Sequence, residues 1–151
     1  MKVLMVCLGN ICRSPLAEGI LKHKIQEQYL DWEVDSAGTG SWHIGELPDQ
    51  RSIAIARKFG IDITDQRARQ FAEKDLETYD LIFAMDSSNY QNIMQKATKK
   101  EQKEKVALIM NMSNPNRNQA VPDPYWDDDG FEKVYWMLDE ACEAIIRRYK
   151  I

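Results

Sequence analysis

Four short apolar segments recur along the chain, separated by polar and helix-forming stretches. They cover residues 3–6, 32–36, 81–85 and 106–110, and each is bounded by polar or turn-forming residues. Such segments are typical of strands that are buried in a sheet. Because the predicted strands alternate with helical stretches, the pattern predicts an α/β fold in which helices cover both faces of a parallel sheet.

Three predicted helices between and after these strands carry clear boundary signals. The first should have Ser14 as its N-cap and Pro15 at its first position. A second should span residues 49–59 and end at Gly60, because glycine readily adopts the left-handed conformation that terminates helices. The last spans residues 131–149, where apolar side chains follow the three-four spacing of one buried face. Residues 111–122 lack periodicity and should form an exposed connection.

Size and charge limit what the chain can be. Its 151 residues, of which 44% are hydrophobic, suffice for one domain spanning residues 1–151 and are too few for two comfortable ones. The formal net charge is -4 and no broad basic stripe is present, so we expect no nucleic-acid partner.

The cysteine count and the apolar runs suggest a compartment. Three cysteines do not suit a disulfide framework, and Cys142 falls on the buried face of the last helix, where we expect an inert core residue. No apolar run approaches the ~20 residues of a membrane-spanning helix, and Met1 leads into the first strand without a signal-peptide layout. We therefore expect a cytoplasmic protein without membrane insertion. With only His23 and His43 as histidines, no metal site is predicted.

The segment between the first strand and the first helix is the most informative part of the chain. Cys7 and Arg13 stand six positions apart, with Gly9 and Asn10 between them and Ser14 directly after. The five intervening residues can curl so that their backbone N–H groups point inward, and the helix adds its positive end to the same place. The sequence thus predicts a phosphate-binding loop with a thiol at its floor.

These residue types suit nucleophilic attack on phosphorus. A helix N-terminus, a nearby guanidinium and hydrogen bonds to sulfur each lower a thiol pKa from its usual ~8.5, and Cys7 has candidates for all three. Arg13 offers a planar fork for two phosphate oxygens, and Ser14 could donate to the thiolate. Gly9 permits close approach of the backbone to an anion, while Asn10 tolerates left-handed geometry and can lock the loop.

A departing oxygen needs a proton, which a carboxylic acid opposite the loop could supply. Ligands in open α/β sheets bind beyond the carboxyl ends of the strands, and the connection after the fourth strand can return Asp123 to that rim. Asp123 is therefore our candidate acid. Weaker candidates are Asp127, Asp128 and Asp129.

The segment CLGNICRSP from Cys7 to Pro15, together with Asp123-Pro124-Tyr125, resembles the low-molecular-weight protein tyrosine phosphatases. The likeness spans nearly the whole chain and includes the segments DSAG at 35–38 and AMD at 84–86. It implies a four-stranded parallel sheet flanked by helices, with the phosphate-binding loop between the first strand and the first helix.

The same resemblance implies hydrolysis of protein phosphotyrosine through a phosphocysteine intermediate, without a metal or cofactor. Cys7 would be the nucleophile, Arg13 the phosphate ligand, and Asp123 the general acid and later the base. The remaining site residues would be Leu8, Gly9, Asn10, Ile11, Cys12 and Ser14 in the loop, Ser36 in its support, and Trp42, Tyr125 and Trp126 in the substrate pocket.

The resemblance also implies a redox-sensitive enzyme, since Cys12 matches a second cysteine that pairs with the nucleophile on oxidation. The alternative for Cys12 is a small buried loop residue. The implied partner is a tyrosine-phosphorylated protein, with a tyrosine kinase as a further candidate, and we expect a monomer.

Three other activities compete with tyrosine dephosphorylation. Arginine phosphatases of the same family carry threonine where this chain has Ile11, so Ile11 favours phosphotyrosine. Arsenate reductases need further relay cysteines, for which Cys142 is a poor substitute. A phosphocysteine carrier that does not hydrolyse its phosphate would not need Asp123.

Overall fold

All four predicted strands form one parallel sheet in the computed structural model, which describes residues 1–124 and 129–151. The strands are β1 (Lys2–Cys7), β2 (Glu33–Gly38), β3 (Leu81–Ala84) and β4 (Val106–Leu108). Their order across the sheet is β2-β1-β3-β4. The predicted four-stranded parallel α/β architecture is confirmed.

Helices connect the strands and cover both faces of the sheet. Within the described residues they are α1 (Arg13–Glu27), α2 (Gln50–Lys58), α3 (Asp75–Thr78), α4 (Ser87–Lys96), α5 (Lys100–Glu104), α6 (Met110–Ser113) and α7 (Gly130–Tyr149). In this part of the chain no helix combines the length and the apolar character that crossing a bilayer requires.

Side chains alternate between the two faces of the central strand β1, which explains why helices pack on both sides of the sheet. Val3 and Met5 belong to one core cluster with apolar residues of α1, α2 and α7, whereas Leu4 and Val6 belong to a second cluster with residues of α3 and α4. Successive side chains of a strand point to opposite faces, so a continuous apolar run buries both sides.

The carboxyl end of β1 is the topological switch point of the sheet. The chain leaves β1 for β2 on one side and reaches β3 on the other. Cys7 pairs with Gly38 at this end, and a Cβ at Gly38 would lie 2.7 Å from the Leu8 carbonyl oxygen. Glycine at position 38 therefore lets the loop after β1 pack against β2, in the crevice where ligands of such sheets bind.

Several predicted boundaries differ from the structure, among them the start of α1 and the end of β4. Helix α1 starts at Arg13 with Cys12 as its N-cap, because the hydroxyl of Ser14 contacts Cys7 instead of capping the helix. Strand β4 ends at Leu108, and the predicted exposed connection begins with α6, although most of its remaining residues are exposed.

The second helix begins and ends close to its predicted limits. The Asp49 side chain caps α2 by accepting a hydrogen bond from the Arg51 backbone N–H at 2.8 Å. Gly60 follows this helix with φ of 81°, in the left-handed region.

Candidate active site

The thiol of Cys7 lies at the floor of a loop between β1 and α1. Cys7 is buried, and its Sγ accepts a hydrogen bond from the Asn10 backbone N–H at 3.3 Å and lies 3.0 Å from the Ser14 Oγ. Helix α1 begins at Arg13, so its positive end adjoins the same loop. These surroundings favour an anion at the mouth of the loop, above the sulfur.

The carbonyl groups of the loop bond to its supports. The carbonyl oxygens of Cys7 and Leu8 accept hydrogen bonds from the Thr39 and Gly40 N–H groups, both at 2.9 Å. The Ile11 carbonyl accepts one at 2.7 Å from the N–H of the residue that caps α2. These three hydrogen bonds fix the orientation of the peptide planes on the outer side of the loop.

Asn10 locks the loop from inside. It is buried and adopts φ of 58°, a left-handed conformation that costs a non-glycine residue about 1–3 kcal/mol. Its Nδ2 donates to the Ser14 Oγ at 2.8 Å and to the Ser36 Oγ at 2.9 Å, while its Oδ1 accepts from the Arg69 backbone N–H at 3.0 Å. These hydrogen bonds offset the strain and hold both serines in place.

A buried carboxyl that sequence reasoning missed continues this network. Ser36 Oγ donates to Glu18 Oε1 at 2.6 Å, and Lys22 Nζ donates to Glu18 Oε2 at 2.5 Å. Burial raises the pKa of Glu18, and the hydrogen bonds from Lys22 and Ser36 oppose that rise. A continuous path of hydrogen bonds therefore joins a surface lysine to the loop.

Arg69 is a second residue that the sequence did not single out. Its guanidinium binds Asp75 at 3.0 and 3.2 Å and Asp35 at 3.1 Å, and it lies 3.4 Å from the hydroxyl of Tyr79. Burial lowers the pKa of Arg69, but the bonds to Asp75 and Asp35 outweigh this effect and raise it. The anchored side chain fixes the backbone N–H that binds Asn10.

The guanidinium of Arg13 is oriented by groups on two other segments. Its Nη1 donates to Asp86 Oδ2 at 2.8 Å and to the Val121 carbonyl oxygen at 3.0 Å, and 11% of the side chain is exposed. Asp86 also caps α4, accepting from the Asn89 N–H at 2.8 Å. The loop arginine is thus held by a carboxylate that is itself fixed at a helix start.

One cavity of about 140 Å³ brings the predicted reactive groups together. Cys7, Arg13 and Asp123 all line it, although Asp123 lies far from the other two in the sequence. Its remaining described lining residues are Leu8, Gly9, Ile11, Cys12, Trp42, His43 and Pro124. The cavity thus combines a thiol, a guanidinium and a carboxyl group.

The aromatic rim is partly described. Trp42 is 70% exposed at the cavity edge. Tyr125 and Trp126, predicted in the substrate pocket, lie outside the described residues, as do the alternative acids Asp127 and Asp128. Asp129 is exposed and occupies the N-cap of α7.

His43 lines the same cavity, although we predicted no role for it from the sequence. Its Nδ1 contacts a carboxylate oxygen of Glu46. A Cβ at Gly9 would lie 3.1 Å from His43 Cδ2, so the absence of a side chain at Gly9 lets the imidazole pack on the loop.

The three cysteines have different surroundings. Cys7 and Cys12 are both buried and line the same cavity. Cys142 lies in the core, donates to the Ala17 carbonyl oxygen at 3.8 Å, and has its pKa raised by burial. The prediction of a core position for Cys142 is confirmed. Across residues 1–124 and 129–151, no group of three or more His, Cys, Asp or Glu side chains could hold a metal ion.

Comparison with known proteins identifies this arrangement. The model of the family described as low molecular weight phosphotyrosine protein phosphatase matches residues 2–150. The chain belongs to this family. As a member it is an enzyme of the protein-tyrosine-phosphatase class, and the resemblance found in the sequence is confirmed.

Individual relatives of this phosphatase cover nearly its full length or all of it. A low molecular weight phosphotyrosine protein phosphatase of Schizosaccharomyces pombe is 40% identical over 150 residues, which are 97% of this chain and 95% of the relative. The crystal structure of a protein tyrosine phosphatase from Entamoeba histolytica superposes with a TM-score of 0.91 at 36% identity, covering 98% of this chain and 96% of that one. A Drosophila arginine phosphatase gives a TM-score of 0.92 at 36% identity, covering 100% and 99%.

Proposed function

We propose that this phosphatase hydrolyses phosphotyrosine in proteins through a phosphocysteine intermediate. The supporting observation is the cavity that Cys7, Arg13 and Asp123 line together. In the first step Cys7 Sγ forms a bond to phosphorus while the bond to the tyrosine oxygen breaks, and Asp123 protonates that oxygen. In the second step the Asp123 carboxylate takes a proton from water, whose oxygen displaces Sγ and releases inorganic phosphate.

Charge stabilisation comes from groups that are already positioned. The N-terminal end of α1 and the inward N–H groups of the loop face the phosphoryl oxygens, and Arg13 holds two of them as charge shifts in the transition state. Because Asp86 and Val121 fix one edge of the guanidinium, its approach to the phosphate needs little reorganisation.

The depth of the cavity favours phosphotyrosine. Cys7 is only 3% exposed at the floor, so phosphorus reaches its sulfur only at the end of a long side chain. Phosphoserine and phosphothreonine are too short, whereas a tyrosine ring could stack on Trp42. We infer that the protein acts as a monomeric, single-domain cytoplasmic enzyme. Its substrates would be tyrosine-phosphorylated proteins, with a tyrosine kinase as a further partner.

Asp123→Asn tests the general acid. The kcat/KM for phenyl phosphate, whose leaving group is poor, should fall by about 10²-fold, and the kcat/KM for 4-nitrophenyl phosphate, which reports the same first step, should fall much less. Asp129→Asn, at an exposed helix cap, serves as the matched control and should leave both rates within twofold of the parent. Equal losses with the two substrates would argue against proton donation by Asp123.

Dephosphorylation of arginine is the second candidate, since a Drosophila arginine phosphatase is 36% identical to this chain. Ile11 lines the cavity, and its apolar side chain offers no hydrogen bond to a phosphoarginine guanidinium or to its attacking water. We therefore favour phosphotyrosine as the substrate of the parent enzyme.

Ile11→Thr should raise the ratio of phosphoarginine to phosphotyrosine hydrolysis by about tenfold. The control is Ile11→Val, which has the same shape as the threonine variant without its hydroxyl and should keep the parent ratio. The measurement is kcat/KM for both substrates with all three proteins. A parent that already prefers phosphoarginine would refute our specificity assignment.

Two further activities fit less well. A relay cysteine of an arsenate reductase must leave the site to exchange its disulfide, but Cys142 is fully buried in the core. A phosphocysteine carrier would have to prevent hydrolysis, whereas Asp123 stands on the cavity wall where it can activate water.

Mild peroxide should inactivate the enzyme in a form that dithiothreitol restores. Peroxide oxidises the Cys7 thiolate to a sulfenic acid, and the Cys12 thiol then condenses with it, releasing water and forming a disulfide. Intact-mass measurement should show the loss of two hydrogens, and Cys12→Ser should instead accumulate sulfinic acid on Cys7. Sulfinic acid as the main product in the parent would exclude this protective pairing.

A further inference from the structure

A second groove adjoins the catalytic cavity and shares two of its walls. Ile11 and His43 line both spaces, and the groove continues between the segment after His43 and the start of α2. We call this space the side groove and define it by Ile11, His43, Leu47, Pro48 and Ile53. The side chains of Ile11 and His43 therefore separate a ligand in the catalytic cavity from the side groove.

The lining of the side groove places an exposed leucine between polar side chains at the edge and apolar side chains within. Leu47 is 49% exposed, and the partly buried side chains of Ile11 and Ile53 add carbon surface beside it. Covering such surface removes apolar area from water and contributes to binding.

The charged groups at its edge are already paired. Glu46 contacts His43, and the Asp49 carboxylate forms an ion pair with Arg51 Nε at 3.1 Å. Because each carboxylate already has a partner, neither requires a cationic ligand. Their negative charge disfavours an acidic ligand. The chemistry of the side groove suits an uncharged apolar side chain.

We propose that the side groove binds an apolar side chain of the substrate protein that lies close in sequence to the phosphotyrosine, a proposal that rests on the proposed function. An extended peptide advances 3.3–3.6 Å per residue, so a residue one to three positions from the tyrosine reaches a space beyond Ile11 and His43. The side groove thus selects substrates with leucine, isoleucine, valine, methionine or phenylalanine at that position.

The neighbouring residue Ile44 provides a matched control. It is 59% exposed in the same segment as Leu47, but it does not line the side groove. Replacing either residue by serine removes a similar exposed apolar side chain, and only the Leu47 change alters the proposed binding surface.

The experiment uses peptides that contain one phosphotyrosine in a glycine-serine background. One leucine is placed in turn at each of the three positions on either side of the phosphotyrosine. We expect leucine at one or two positions to raise kcat/KM by about tenfold over the background peptide. Leu47→Ser should reduce that gain to less than threefold, whereas Ile44→Ser should retain it. Both variants should hydrolyse 4-nitrophenyl phosphate and the background peptide at rates close to those of the parent.

The proposal is overturned if no leucine position raises kcat/KM, if the gain persists in Leu47→Ser, or if Ile44→Ser abolishes it equally. Failure of the proposed function has a different signature: 4-nitrophenyl phosphate is hydrolysed and no phosphotyrosine peptide in the set is. Melting temperatures of both variants close to that of the parent would show that the loss of the leucine-dependent rise in kcat/KM is not caused by unfolding.

Discussion

Turnover of 4-nitrophenyl phosphate should fall by at least ~10³-fold in Cys7→Ser, while the variant still binds inorganic phosphate. The helix end, the loop amides and Arg13 that hold the anion are all retained in this variant. The serine hydroxyl at the same point remains protonated, so it does not attack phosphorus. Steady-state kinetics measure the first effect and calorimetric titration with phosphate measures the second.

Cys142→Ala is the control for this substitution, because it removes a buried thiol that does not line the cavity. Its kcat should stay within twofold of the parent, even if the small core change lowers its melting temperature. Robust hydrolysis by Cys7→Ser would remove the assignment of Cys7 as the nucleophile.

Arg13→Lys should lower kcat/KM by at least ~10²-fold even though the positive charge is retained. In the parent, Asp86 and the Val121 carbonyl hold one nitrogen of the guanidinium, and the planar fork extends toward the phosphate. A single ammonium cannot keep both anchors and also bind two phosphoryl oxygens. The measurement is kcat/KM together with the inhibition constant of inorganic phosphate.

Arg67→Lys is the control for the arginine change, since Arg67 donates to the backbone carbonyls of Thr64 and Gln66 away from the cavity. It should preserve kcat/KM within twofold. If the kcat/KM of Arg13→Lys were within tenfold of that of the parent, the positive charge alone would suffice. The paired contacts of the guanidinium would then contribute little to stabilising the transition state.

The sequence predicted the parts of this site whose signals are local. Cys7, Asn10 and Arg13 lie within a few residues of a strand end and a helix start, so spacing alone suggested how they meet. Asp86 and Arg69 act through contacts that join residues 73 and 59 positions apart, and no periodicity in the chain encodes such pairs. The family resemblance included Asp86 in a motif without giving it a role.

Ser14 shows how a tertiary contact overrides a local preference. The sequence offered two uses for its hydroxyl, a helix N-cap and a hydrogen bond to sulfur, and one oxygen cannot serve both. In the structure the hydroxyl lies 3.0 Å from the Cys7 Sγ, and α1 begins two residues earlier than predicted, at Arg13. Buried hydrogen bonds in a network are stronger than those at an exposed helix end, which decides between the two.

The outward bonds of the loop carbonyls, to Thr39, Gly40 and the cap of α2, have a thermodynamic consequence for ligand binding. Because the peptide planes are fixed before any anion arrives, the inward N–H groups do not have to be ordered by it. Loop ordering usually consumes part of the interaction energy of a ligand, and here that loss is small. Phosphate should therefore bind with little change in the amide hydrogen exchange of β1 or of the segment after β2, and with a heat-capacity change close to zero.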